Sequence, residues 1–133
     1  MKSKLSNKKL LEIYKNLLLP RLIEERMLIL LRQGKISKWF SGIGQEAISI
    51  GVTSALNSGD VIFPMHRNLG VFTSRDVDLK KLFCQLMGKE GGFTKSRERS
   101  FHFGTLDHNI VGMISHLAAM LPVACGVSYI KKI

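Results

Sequence analysis

The stretch FPMHRNLGVF, residues 63–72, sets His66 and Arg67 side by side just after an apolar run that ends at Pro64. Arginine carries a planar fork of donors that matches phosphate oxygens. At the carboxyl end of a buried strand such a group is well placed for a ligand; the alternative is a surface arginine on a loop. His66 can hydrogen-bond a ligand or satisfy a backbone carbonyl. A second candidate is the loop KEGGFTKSRERSFHFGTLDHN, residues 89–109. Gly91 and Gly92 let backbone approach a ligand or another chain. Lys95, Arg97 and Arg99 alternate with polar residues ahead of Ser100 and His102. Such a loop could hold phosphate, order itself against a partner, or lie solvated. It lacks the G-x-x-x-x-G-K-[ST] spacing of a phosphate loop and is no dinucleotide fingerprint. His66, His102, His108 and His116 show no HxxxH spacing and the cysteines no CxxC, so no metal ligand is assigned. No carboxylate pair stands out for acid–base work. Glu46 sits at a helix start, where its charge suits the dipole. No catalytic residue is assigned.

These residues need elements to position them. Ser6 is placed to cap a helix that begins near Lys8 and carries Leu10, Leu11, Tyr14, Leu17 and Leu18 at helical spacing. Pro20 kinks or divides it. The pattern resumes with Leu22, Ile23, Met27, Leu30 and Leu31 and stops at Gly34, as a C′ glycine does. KISKWFSGIG reads as irregular. From Gly44 a second helix sets Ala47, Ile48, Gly51, Val52 and Ala55 on one face. The run DVIFP, residues 60–64, fits a buried strand. Residues 66–73 are expected to turn into a short helix. Asp78 can cap another, with Leu79, Leu82, Phe83, Leu86 and Met87 inward and Gly88 closing it. A last helix is predicted from Met113 to Ile130, with Ala118, Ala119, Ala124 and Gly126 close to another backbone. One strand among several helices is an incomplete α/β layer, since a parallel sheet needs further strands with helices on both faces.

The 133 residues suit one domain, and 45% hydrophobic content allows a core. The most apolar run, residues 17–31, is cut by Pro20, Arg21, Glu24, Glu25 and Arg26, so no membrane span is expected. The N-terminus MKSKLSNKK has charge but no apolar block behind it, unlike a secretory signal. Cys84 and Cys125 read as small buried hydrophobes in a reducing, cytoplasmic compartment. A net charge of +10 fits a phosphate site, an acidic partner, a nucleic-acid surface or a lysine-rich exterior. The nucleic-acid reading lacks a helix-turn-helix pattern or an aromatic stacking platform.

Five segments then come in a familiar order: LIEERMLILLRQGKIS, GIGQEAISIGVTSAL, GDVIFPMHRNLG, LFCQLMGKEGGFTKSRERSFHF and NIVGMISHLAAMLPVACG. With them the chain, from about Tyr14 to Tyr129, resembles the α subunit, or the α half of an α–β fusion, of the thiamine-diphosphate-dependent 2-oxo acid dehydrogenases. These are the first components of the pyruvate and branched-chain complexes, and HRNLG looks closest to the branched-chain type. The resemblance implies an α/β fold in which a parallel sheet is flanked by helices. It implies an N-terminal helical arm over residues 1–34 and the start of the cofactor-binding domain over 35–133. It also implies a 2-oxo acid substrate, a lipoyl-bearing acyltransferase component as acyl acceptor, and a β subunit or β half as partner in a heterotetramer.

By resemblance Arg67 contacts the cofactor diphosphate. His66 stands where the family has tyrosine, and a ring nitrogen can still donate to phosphate. Leu69 replaces a frequent histidine. Asn109 and Val111 match positions lining the aminopyrimidine and thiazolium, and Phe40 lies near a substrate-side position. The family's Mg²⁺ is held by a Gly-Asp-Gly motif and a later asparagine, oxygen donors that suit a hard cation. Here the only Gly-Asp is Gly59-Asp60, followed by Val61. The expectation is therefore an N-terminal portion that carries one wall of a cofactor site, lacks the metal wall, and is not active alone. The alternatives are a non-catalytic remnant acting as a subunit-interaction module and, behind it, a small basic nucleic-acid-binding protein.

Overall fold

A computed structural model describes residues 5–98, 102–112 and 115–132. Arg99, Ser100 and Met113 lie outside them. The order is α1 (Asn7–Arg32), α2 (Glu46–Ala55), α3 (Leu69–Thr73), α4 (Leu79–Leu86), a 3₁₀ turn (Leu106–His108) and α5 (Leu121–Lys132). The chain forms two compact units, Met1–Asn57 with Arg67–Leu79, and Ser58–His66 with Lys80–Ile133. The described residues are mostly helical and contain no multi-residue strand. None of their helices is long and apolar enough to cross a membrane.

In the first unit α1 starts where Ser6 predicts. The Ser6 hydroxyl accepts from Lys9 N at 3.3 Å, and Lys9 pairs with Glu12 at 2.7 Å. Pro20 does not divide the helix, although an interior proline removes a hydrogen bond and costs about 3 kcal/mol. It is fully buried, so packing offsets that loss. Gly34, at φ +69°, ends the helix with Lys35 N bonded to Leu30 O (2.9 Å) and Gly34 N to Leu31 O (3.0 Å). This is the paired closure that a glycine at C′ permits. Ile23, Met27 and Leu30 are buried, together with Pro20 and Glu24. Upstream, Leu10, Leu11, Tyr14 and Leu18 are exposed, as is Leu22.

Helix α2 forms where the spacing predicts, and its apolar face lies outward. Ala47, Ile48, Gly51, Val52 and Ala55 do share a face, but all five are exposed, Ile48 at 65%. Ser49, Ile50 and Thr53 are buried instead. The two hydroxyls go inward cheaply because the helix's own carbonyls take them, Ser49 Oγ on Glu46 O (3.1 Å) and Thr53 Oγ1 on Ser49 O (2.7 Å). Their small size lets α3 approach: a Cβ on Gly70 would collide with the Ser49 hydroxyl. Ser74 Oγ then donates to Thr53 Oγ1 at 2.7 Å. All five residues of α3 are buried, within the span predicted to be helical.

In the second unit the expected strand 60–64 is reduced to one parallel bridge, Ile62 with Ile110. Ile62 N donates to Asn109 O and Val111 N to Ile62 O, each at 2.9 Å. Ile110 also pairs antiparallel with Thr105, through bonds of 2.8 and 3.1 Å. Helix α4 closes at Gly88 (φ +64°) as predicted. Leu82 and Leu86 are buried, Phe83 and Met87 half-buried, and Leu79 exposed. The final helix starts at Leu121, not near Met113. Ala118 has φ +63° and lies with Ala119 in the preceding turn, while Pro122 falls in the first turn of α5, where its missing N–H costs nothing. No residue of α5 is buried, and a Cβ on Gly126 would meet open space, so the expected close packing is not found among the described residues. Cys84 is half-buried and Cys125 exposed, which corrects the buried reading of the latter.

The glycine-rich loop is anchored over its described part. Gln85, 1% exposed, accepts from Thr94 N (2.9 Å) and donates to Thr94 Oγ1 (3.0 Å). Gly92 passes so close that a Cβ there would lie 2.7 Å from Gln85 Cα. Phe93 stacks on Phe103 at 5.4 Å, with the Lys81 ammonium over its ring at 4.9 Å. Lys95 and Arg97 remain exposed. Gln85→Leu preserves volume but strands the Thr94 amide. It is expected to cost about 1–3 kcal/mol and to speed limited trypsin cleavage at Lys95 and Arg97. Unchanged cleavage would show that Gln85 does not hold the loop.

Candidate functional site

The sequence-predicted residues divide between the two units. In the first, Arg67 is exposed, and its Nη1 donates to the Ser41 carbonyl. The Ser41 segment is itself held from below. Glu24, 2% exposed on the inner face of α1, accepts from Trp39 Nε1 at 2.7 Å and from Gly42 N at 2.9 Å. Gly42 lies against the Arg67 main chain, where a Cβ would overlap the Arg67 carbonyl oxygen. One carboxylate thus fixes residues 39–42, and these fix both the backbone and the guanidinium of Arg67. The guanidinium has five N–H donors, of which the Ser41 carbonyl engages one nitrogen. An exposed, oriented fork of this kind can receive an anion in two-point fashion. Phe40 belongs to the same segment; it is half-buried, with Lys38 Nζ 4.8 Å from its ring centre.

Glu46 secures the other end of the segment. Its Oε1 accepts from Arg21 Nε at 2.6 Å and its Oε2 from Gly44 N at 2.9 Å. Its role therefore exceeds the dipole effect expected of it. The Arg21 hydrogen bond holds the carboxyl below the ordinary glutamate range; desolvation opposes this, and the amides of Glu46 and Gly44 assist. Glu46 raises the Arg21 value in return. A group with a lowered folded-state value stabilises fully above its unfolded value, and the contribution is lost as pH falls through the folded one. Melting of the wild type should therefore drop more steeply than that of Glu46→Gln as pH falls below the ordinary value of 4.5. Parallel melting curves would remove the pair from the account.

In the second unit, Asn109 adopts the left-handed conformation (φ 54°, ψ 32°) that asparagine tolerates better than most residues. Its Nδ2 donates to Ser58 O at 2.9 Å, and its carbonyl accepts from Ile62 N. Val111 is half-buried beside the same bridge, its N–H on Ile62 O. Both are thus fixed by the extended segment that leads to His66, which is half-buried with Nδ1 enclosed. Gly104 must be glycine, since a Cβ would strike Gly112 N. His102 Nε2 contacts Ser115 Oγ. No three His, Cys, Asp or Glu side chains gather into a metal site among the described residues.

Glu24, Ser41 and Gly42 were not singled out from the sequence as site residues. The available signal was an acid at 24 on the same helical face as Ile23, Met27 and Leu30, upstream of a lone tryptophan that needs an acceptor.

The chain is 32% identical over 128 residues to the mitochondrial 2-oxoisovalerate dehydrogenase subunit alpha of Dictyostelium discoideum, and 30% identical over 128 residues to that of Homo sapiens. Each alignment covers 96% of this chain and 29% of the relative. The 2-oxoisovalerate dehydrogenase subunit alpha of Pseudomonas aeruginosa is 33% identical over 122 residues, 92% of this chain and 30% of the relative. The chain therefore spans less than a third of the length of these relatives. Residues 14–133 match the family described as dehydrogenase E1 component, and on that coverage the chain belongs to the dehydrogenase E1 component family.

Proposed function

We propose that this chain is part of the α subunit of a thiamine-diphosphate-dependent 2-oxo acid dehydrogenase of branched-chain type, and that it supplies the diphosphate-facing wall of the cofactor site. The carrying observation is the exposed Arg67 guanidinium, oriented by Ser41 and backed by Glu24 through Gly42. An α/β sheet flanked by helices is the fold in this reading, supported by the parallel bridge between Ile62 and Ile110.

The residues present fit a diphosphate better than its metal. Arg67 has the donor geometry for phosphate oxygens, and His66 would add a ring nitrogen. Val111 offers apolar surface, and Asn109, its amide already engaged, holds the backbone beside it. Phe40 would face the substrate. Among the described residues no three His, Cys, Asp or Glu side chains gather to hold Mg²⁺, and its oxygen donors would come from elsewhere in an assembled enzyme. When bound, thiamine diphosphate supplies the thiazolium carbon on which 2-oxo acids lose carbon dioxide; the protein's contribution is binding and orientation. A β subunit and a lipoyl-bearing acyltransferase component would complete the reaction. The alternative, a non-catalytic interaction module, draws support from the exposed apolar face of α2.

Calorimetric titration with thiamine diphosphate and with thiamine tests the reading. Weak binding that needs the diphosphate and gains little from Mg²⁺ is expected. Tight, Mg²⁺-dependent binding would refute the absence of a metal wall, and equal binding of thiamine would refute the role of the diphosphate.

A further inference from the structure

Helix α1 has a second apolar face. Leu11, Tyr14, Leu18, Leu22 and Ile29 are all exposed, from 39% at Leu18 to 59% at Tyr14. At 3.6 residues per turn they fall within an arc of about 80°. Pro20, Ile23, Met27 and Leu30, which are buried, occupy the opposite side. A stripe of this regularity over five turns is what a helix presents to another helix, whereas singly scattered surface apolar residues need no explanation. One flank of the stripe carries Lys8, Lys15 and Arg26, all exposed. Glu25, also exposed, lies within the stripe between Leu22 and Ile29.

We propose that this stripe docks an amphipathic helix of another protein chain, one whose apolar face is rimmed by aspartate and glutamate. The charges select this occupant. A second copy in antiparallel pairing would bring the basic flank against itself, and like charges across an interface are penalised. A lipid surface would take the Glu25 carboxylate toward its apolar layer. A facing helix can instead set one basic side chain opposite Glu25, and a polar residue within an apolar seam fixes register. Acidic rims then meet Lys8, Lys15 and Arg26. The inference rests on exposure, spacing and charge in α1, independently of the cofactor reading.

The test uses two synthetic helices with the same leucine stripe, flanked by glutamate in one and lysine in the other. Each is titrated against the 133-residue chain by fluorescence anisotropy. The glutamate peptide is expected to bind at least tenfold more tightly, with affinity falling as salt rises. The double variant Leu18→Asp/Leu22→Asp, at exposed positions, should lose at least tenfold while its circular dichroism is unchanged. Lys15→Glu/Arg26→Glu should reverse the preference toward the lysine peptide. Equal binding of both peptides, binding of neither, or no reversal on charge exchange would overturn the proposal. So would concentration-dependent self-association, or binding to phosphatidylserine vesicles, that Leu18→Asp/Leu22→Asp abolishes while the glutamate peptide still binds.

Discussion

Glu24→Ala is expected to lower unfolding free energy by about 3–4 kcal/mol, measured by urea denaturation. The estimate follows from what the substitution strands. Trp39 Nε1 and Gly42 N both donate to this one carboxylate inside the protein, at 2.7 and 2.9 Å. Each buried donor left without an acceptor costs about 1–3 kcal/mol, and removal of a buried acid returns some of that. Glu24→Gln keeps one acceptor oxygen but turns an amide toward the other donor, so about half the loss is expected. Trp39 is the only tryptophan, which makes its emission a local reporter. The spectrum should shift red in Glu24→Ala before global unfolding. An unchanged midpoint with unchanged emission would mean that residues 39–42 are held by something other than Glu24.

Gly42→Ala should be the next most damaging change, at about 2–3 kcal/mol. The added Cβ overlaps the Arg67 carbonyl oxygen and lies 3.1 Å from the Arg67 carbonyl carbon and 3.2 Å from Glu24 Oε1. Two of those neighbours are main chain and cannot rotate away. Either the 39–42 segment lifts, breaking the Glu24 bond, or Arg67 shifts, losing Ser41. Gly51→Ala supplies a contrast of opposite sign. Gly51 is an exposed residue within α2, and a Cβ there meets nothing within 4 Å. Alanine is favoured over glycine in a helix by about 1 kcal/mol, so Gly51→Ala should raise stability. If both substitutions destabilise alike, the close approach at Gly42 is not the cause.

The parts of the fold legible in the sequence are those controlled by local chemistry. Ser6 and Gly34 mark the ends of α1, and Gly88 the end of α4, because a cap and a left-handed glycine act within a few residues. Periodicity located α2 and its apolar face but did not show that this face lies outward. Ile48 and Val52 are more apolar than Ser49 and Thr53, yet the hydroxyls are satisfied within the helix, and their smaller volume admits Gly70 of α3. That choice depends on a neighbour 21 residues away, which no window over α2 contains. The late start of α5 has a local cause, Pro122 and the left-handed Ala118, that the composition of small residues outweighed in the reading. The expected strand at 60–64 is reduced to a bridge because only Ile62 pairs, with Ile110, a pairing that hydrophobicity alone does not reveal.

The candidate site divides in the same way. Arg67 is legible because it follows an apolar run and a proline. Its support is not: Glu24 resembles a solvent-facing residue until Trp39 and Gly42 close over it. A buried acid that holds a loop is written in the sequence only as an interruption of an apolar face.

The central claim, that Arg67 is held in place to receive a diphosphate, is tested most directly by titrating thiamine diphosphate into the wild type and Arg67→Met at one fixed ionic strength. Loss of a charge-assisted contact of about 1.5–3 kcal/mol predicts an affinity roughly 10- to 100-fold weaker in the variant, with the Trp39 emission unchanged. Equal affinities for the two chains, each still folded, would contradict it.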